Sequence, residues 1–256
     1  MYAKCLSLTA AIAFFGLFAI GSAWAQIPEG RPAPVPESLD SSQPPNLSLI
    51  KPQLLYYRCT KYDSEVEKKL TEARGWIEMR APQVSKPAIV LDIDETALSN
   101  WTRIKKDDFA FFWDGTCDLT KKTEACGEQA WEKLAQAPAL KPTLDLFKFA
   151  KCQDVPPHAN CTGVAVFFVT GRYTDAKDST EQNLVKAGYH DWDGLYMWDP
   201  STSGQLVAVS KIAARSDIEG RMGYTIIANV GDQDSDLVGG NAELKFKVPN
   251  PFYFIP

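Results

Sequence analysis

A chain of 256 residues, 45% of them apolar, has the material for one good-sized domain with a buried core. Its formal net charge is −5, and it carries no basic run or stripe, which argues against a protein that holds nucleic acid as a polyanion. With only two histidines, His158 and His190, histidine-based phosphatase chemistry and a Ser-His-Asp triad have little to be built from.

The first residues read as an export leader. Lys4 supplies a positive charge, Leu6 to Ile20 is almost wholly apolar, and Ala23-Trp24-Ala25 is a small-x-small cleavage signature, so 1–25 is predicted to be a cleaved signal peptide. The apolar stretch falls short of the ~20 residues of a comfortable membrane span. Cys5 precedes it, where a lipid-anchoring cysteine would not be placed. A soluble periplasmic or secreted protein is therefore expected, with a retained signal anchor as the alternative. Residues 26–52, rich in proline, serine and acids, are expected to lie extended, and 53–256 to form a single domain.

From Gln53 to Met79 the apolar residues Leu54, Leu55, Val66, Leu70, Ala73, Trp76 and Ile77 recur near helical spacing, predicting a packing helix. Ala88-Ile89-Val90-Leu91 then reads as a strand buried on both faces, ending in Asp92-Ile93-Asp94-Glu95-Thr96. Side chains two apart on a strand share a face, so Asp92 and Asp94 are expected to point the same way. Two carboxylates at a water-poor strand end repel each other, and a hard divalent cation such as Mg²⁺ would relieve that. An acidic turn after a strand is the plainer reading of the same residues.

The stretch of about 98–140 is too long for a turn and reads as a small cap or insertion, with a helix at Gln129–Ala137. Its aromatic residues Phe111, Phe112 and Trp113 are expected in the core rather than on a pocket wall. Cys117 and Cys126 flank one polar segment, Cys152 and Cys161 another, and pairing each with its near neighbour leaves Cys59 free. Other pairings stay open. A zinc site lacks the usual ligand spacings.

A helix is predicted over Lys141–Lys151, with Pro142 in its first turn. Gly163–Val169 reads as a second buried strand, closing in Thr170-Gly171-Arg172, where a hydroxyl and adjacent N–H groups could hold phosphoryl oxygens. A helix over Asp175–Ala187 stopped by Gly188, a short strand over Leu195–Trp198, and a helix over Val207–Glu219 carrying Lys211 follow. Tyr224–Val230 is the next buried strand and ends in Gly231-Asp232-Gln233-Asp234-Ser235-Asp236. Alternating strands and helices with polar groups at strand ends predict an α/β fold: a Rossmann-like parallel sheet, helices on both faces, one active edge. That edge would collect Asp92, Asp94, Thr170, Asp232 and Asp236, with Lys211 if the fold returns it there, which suits a phosphate ester. No G-x-S-x-G elbow, G-x-x-x-x-G-K-[ST] loop or G-x-G-x-x-G turn is present.

These residues, in this order, resemble the haloacid dehalogenase superfamily of phosphotransferases. The resemblance is closest to the class B-type acid phosphatase branch, which includes bacterial outer-membrane acid phosphatases and plant vegetative storage proteins. It covers roughly Leu54 to Pro256 and includes the closing Val248-Pro249-Asn250-Pro251. It implies an exported, Mg²⁺-dependent acid phosphatase acting on small phosphate monoesters, nucleotides or aromatic phosphates among them. Asp92 would be the nucleophile and a metal ligand. Asp94 would be the acid and base, with its backbone carbonyl on the metal. Thr170, Gly171 and Arg172 would bind phosphoryl oxygens, Lys211 would steady Asp92 and the phosphate, Asp232 would be a further ligand, and Asp236 would stand close behind. Storage proteins of this branch can lack the nucleophile, which this chain keeps, so a storage or binding protein on the same scaffold is the alternative. The segment from Cys152 to Cys161 is longer than the family pattern.

Overall fold

The computed structural model describes residues 45–153, 163–199, 201 and 206–255. The predicted leader, most of the proline-rich segment, His158 and Cys161 lie outside them. The described residues fall into two compact units, one ending at Asp63 and one starting at Ser64.

Helix α1 (Leu47–Thr60) belongs to the first unit. It starts before the predicted boundary because Asn46 caps it, its side-chain oxygen accepting from the Ser48 N–H at 2.9 Å. Residues 47–52 are therefore helical rather than extended, Pro52 included. The single predicted helix is in fact two, since α2 (Tyr62–Arg80) follows after Lys61.

The sheet is wholly parallel, in the order β3-β2-β1-β4-β5, where β1 is Pro87–Leu91, β2 Ala165–Tyr173, β3 Gly194–Trp198, β4 Thr225–Gly231 and β5 Leu244–Lys247. Strand β1 is central, and all five of its residues are buried, as its continuous apolar run requires. Between the strands come α3 (Trp101–Lys106), α4 (Glu128–Leu134), α5 (Lys141–Ala150), α6 (Lys177–Ala187), α7 (Val207–Gly220) and the one-turn α8 (Asp234–Leu237). Gly188 closes α6 at φ 101°, a left-handed turn that glycine adopts without strain.

Helices cover both faces. Val90, Phe167, Val169 and Ile226 pack on Ala214 and Ile218 of α7. The alternate residue Phe168 points the other way, with its ring 6.0 Å from Phe147 of α5 and 5.5 Å from Tyr189. Trp76 of α2 donates its indole N–H to the Ile227 carbonyl at 2.7 Å. The α/β architecture expected from the sequence is the one observed.

Local differences have physical causes. Strand β2 runs four residues past the predicted end at Val169 because Tyr173 still pairs with Trp198 of β3. Strand β5, unread in the sequence, alternates two lysines with Leu244 and Phe246, and as an edge strand it buries Phe246 only. Phe111 and Phe112 are 62% and 42% exposed, not core. Cys59 is disulfide-bonded rather than free, as is Cys152. Cys117 pairs with Cys126 as expected. No helix among the described residues is long and apolar enough to cross a membrane.

Candidate active site

The site lies at the carboxyl ends of β1, β2 and β4. Strand β1 stops at Leu91, and the Asp92 N–H is held by the Val230 carbonyl at 3.0 Å. A tight turn follows. The Ile93 carbonyl accepts from Ala97 and Leu98 at 2.8 and 2.7 Å, and Glu95 takes φ 55°. Asp92 and Asp94 therefore sit in the turn beyond the strand, and their carboxylates turn to different partners.

Asp92 faces α7. The Lys211 ammonium donates to Asp92 Oδ1 at 2.6 Å and also to Asp236 Oδ1. All three groups are buried. Asp236 comes from α8, whose capping box has the Asp236 carboxylate accepting from the Gln233 N–H at 2.8 Å. Gly231 makes this approach possible, because a Cβ there would stand within 2.6 Å of Asp236 Cγ. Asp232 accepts from Thr96 Oγ1 at 3.1 Å, Gln233 Nε2 at 2.6 Å and Asn250 Nδ2 at 2.7 Å.

Carboxylate oxygens of Asp92, Asp232 and Asp236 lie within 4.8 Å of one another, and among the described residues no other such group forms. Burial, reinforced by the neighbouring Asp236 charge, pushes Asp92 well above the usual carboxylate range despite Lys211, and pushes Asp232 up to about 7. Lys211 is held charged: burial acts against it, but Asp236 and Asp92 outweigh that. Three clustered buried carboxylates, two of them on one ammonium, offer hard oxygen donors that fit a divalent cation as a further positive charge.

Asp94 stands apart from that cluster. Its carboxylate accepts from Arg172 Nη2 at 2.7 Å, from Arg172 Nε at 3.2 and 3.0 Å on its two oxygens, and from Asn100 Nδ2 at 2.8 Å. Burial alone would raise it, yet the Arg172 charge and these hydrogen bonds hold it below the usual range. Arg172 is thus paired with Asp94 through Nη2 and Nε. Thr170 is buried, and its Oγ1 accepts from the Arg172 N–H at 3.1 Å. Gly171 passes close under Val207, 3.0 Å from a Cβ built there.

Several supporting residues went unnoticed in the sequence. Asn100 binds Asp94, and its own N–H is taken by Glu95. Tyr253 donates to Glu95 at 3.0 Å, and burial pushes that carboxyl up to about 8. Asn250, quoted only as part of a closing motif, touches Asp232. Helix α4 brings buried Glu128 to Arg103 at 2.7 Å and Glu132 to 4.0 Å from Arg172. Trp113 sits edge-on to Tyr173, the residue after Arg172, at 4.9 Å.

The chain is similar to several known proteins. A stem 28 kDa glycoprotein of Glycine max is 36% identical over 173 residues, covering 66% of this chain and 61% of that protein. Acid phosphatase 1 of Solanum lycopersicum is 32% identical over 167 residues, covering 65% of this chain and 58% of that protein. The matched part thus spans about three fifths of these relatives. The class C acid phosphatase from Bacillus anthracis shares the fold, with TM-score 0.60 and 20% identity over 80% of this chain and 86% of that one. The family model for the HAD superfamily, subfamily IIIB (acid phosphatase), matches residues 48–256, and the chain belongs to that family.

Proposed function

We propose that the protein is an exported phosphomonoesterase that works through a phosphorylated Asp92. The single observation that carries this reading is the separation of the two aspartates. Asp92 is paired with Lys211 beside a cation-ready cluster, while Asp94 is held apart by Arg172 and Asn100. One carboxylate is equipped to attack and the other to move protons.

In the first half-reaction an Asp92 oxygen attacks phosphorus, and the P–O bond to the alcohol breaks. Asp94 delivers a proton to the leaving oxygen. In the second, Asp94 takes a proton from water, and the resulting hydroxide displaces phosphate from Asp92. Arg172 favours the ionised form of Asp94; the negative charge of an arriving phosphoryl group favours the protonated acid. Lys211 supports ionised Asp92. The Thr170 hydroxyl and the backbone of Gly171 serve the phosphoryl oxygens. Mg²⁺ is the cation we assign to Asp92, Asp232 and the Asp94 carbonyl, with Asp236 behind them, and when bound it supplies charge neutralisation at the phosphoryl group. An exported setting is supported by the leader-like 1–25 and by the disulfides. Substrates are small phosphate monoesters. Trp113 beside Tyr173, with Phe111 and Phe112 exposed nearby in the chain, supports aromatic or nucleoside leaving groups among them.

A second reading, a storage protein on the same scaffold, is favoured by one comparison: vegetative storage protein 1 of Arabidopsis thaliana is 27% identical over 168 residues. Hydrolysis of a chromogenic aryl phosphate separates the two. The parent should turn it over at acidic pH, and Asp92→Asn should lose about 10³-fold or more. Chelation should abolish the parent's activity and Mg²⁺ restore it. A parent inactive from acidic to neutral pH supports storage; activity surviving Asp92→Asn places the nucleophile elsewhere.

A further inference from the structure

Helix α4 belongs to the segment between β1 and β2, not to the sheet, yet it reaches Asp94. The Trp131 indole N–H donates to Asn100 Oδ1 at 2.7 Å, and Asn100 Nδ2 donates to Asp94 Oδ1 at 2.8 Å. Trp131 and Asn100 are 2% and 1% exposed, so water does not compete. An indole nitrogen can only donate. It therefore fixes which end of the Asn100 amide faces it, and sends the NH₂ end to Asp94 and to Glu95 Oε2 at 3.1 Å.

We infer that Trp131 is a positioning residue for proton transfer, acting through the amide orientation of Asn100. Asp94 Oδ1 receives Asn100 Nδ2 and Arg172 Nη2 and Nε, whereas Oδ2 receives Arg172 Nε. The more heavily bonded Oδ1 is the poor proton carrier, so Oδ2 is the atom that gives and takes the proton. Turned over, Asn100 would aim its carbonyl at Asp94, repelling the carboxylate and loosening its place on Arg172. Trp131 pins the amide from its oxygen end, and without it the orientation is held from the carboxylate end alone, by Asp94 and Glu95.

This inference rests on Asp94 acting as the acid, and its test separates the two. The readout is kcat/KM for an alkyl phosphate, whose leaving group needs a proton, against an aryl phosphate with an acidic leaving group, which does not. Asp94→Asn should lose alkyl turnover selectively; loss of both alike overturns the function assigned to Asp94, and this inference with it. Given that selectivity, Trp131→Phe should lower the alkyl value about 5- to 10-fold and the aryl value less than about twofold, the scale of one lost hydrogen bond. In an Asn100→Ala background the same substitution should add nothing. Replacing Trp131 by benzothienylalanine, which keeps the ring shape and lacks the N–H, should reproduce the effect if Trp131→Phe packs poorly. An equal fall on both substrates, no fall on either, or an undiminished effect beside Asn100→Ala would overturn it.

Discussion

Asp236 can reach Lys211 and Asp92 only because residue 231 has no side chain. A methyl group at Gly231 would occupy the space of the Asp236 carboxyl. Gly231→Ala is expected to cost about 1–3 kcal/mol by overpacking and to push Asp236 off Lys211. Chemical denaturation should show the loss, and Mg²⁺ affinity measured by calorimetry should fall with it. Unchanged stability and affinity would mean that α8 moves freely, contrary to its capping box. At this scale the carboxylates were legible in the sequence, because each closes an apolar run. Asp92, Asp232 and Asp236 do converge, and Lys211 is returned to them. Arg172 was legible as a site residue but not as the partner of Asp94, since that pairing depends on β2 extending beyond Thr170. Asn100, Trp131 and Glu132 were opaque. A polar residue in a turn and two residues of a short helix carry no mark of the partners they will meet.

The segment between β1 and β2 behaves as an element with a job. Two of its backbone carbonyls, Phe112 and Trp113, accept from the Glu128 and Gln129 N–H groups at the start of α4, at 2.7 and 3.4 Å. Asp107 holds the Cys126 N–H at 2.8 Å, and Cys126 is tied to Cys117. The aromatic loop is thus anchored by its backbone, and Phe111 and Phe112 stay exposed. Trp113→Ala should raise KM for aryl phosphates about 5-fold, the scale of one lost aromatic pair, and leave alkyl phosphates within about twofold. A steady-state comparison of the two substrate series decides it; parallel changes in both would remove the aromatic rim from substrate binding. The sequence led to core for these rings because aromatic residues usually pay their way by burial. It could not show that the loop's backbone is satisfied elsewhere. By contrast β1 to β4 and α5 to α7 were readable to within a few residues, the strands from continuous apolar runs and the helices from the 3.6-residue period. The break at Lys61 and strand β5 were not, because charged residues there mask the pattern.

Taken whole, the molecule stores protons in its interior. Asp232 and Glu128 are pushed up to about 7, and Glu95 and Glu132 to about 8, burial being the leading cause for each. A carboxyl whose pKa is higher folded than unfolded makes the folded state bind more protons. Its contribution is fully present below the unfolded value, near 4, and is lost as pH rises through the folded value. Asp94 runs the other way: held low by Arg172 against its burial, it contributes above its unfolded value and loses that as pH falls through its folded one. Stability of the metal-free protein should therefore peak near pH 5 and decline steadily to about pH 8. A divalent cation held as proposed would bind the deprotonated forms of Asp92 and Asp232, so Mg²⁺ should add little at pH 5 and progressively more toward neutrality, flattening the decline. Denaturation midpoints between pH 4 and 8, with chelator and with Mg²⁺, test both slopes. A metal-free protein that gains stability from pH 5 to 8 would mean that these carboxyls are ionised and compensated in the folded state. The peak lies at acidic pH, where Lys211 is still charged.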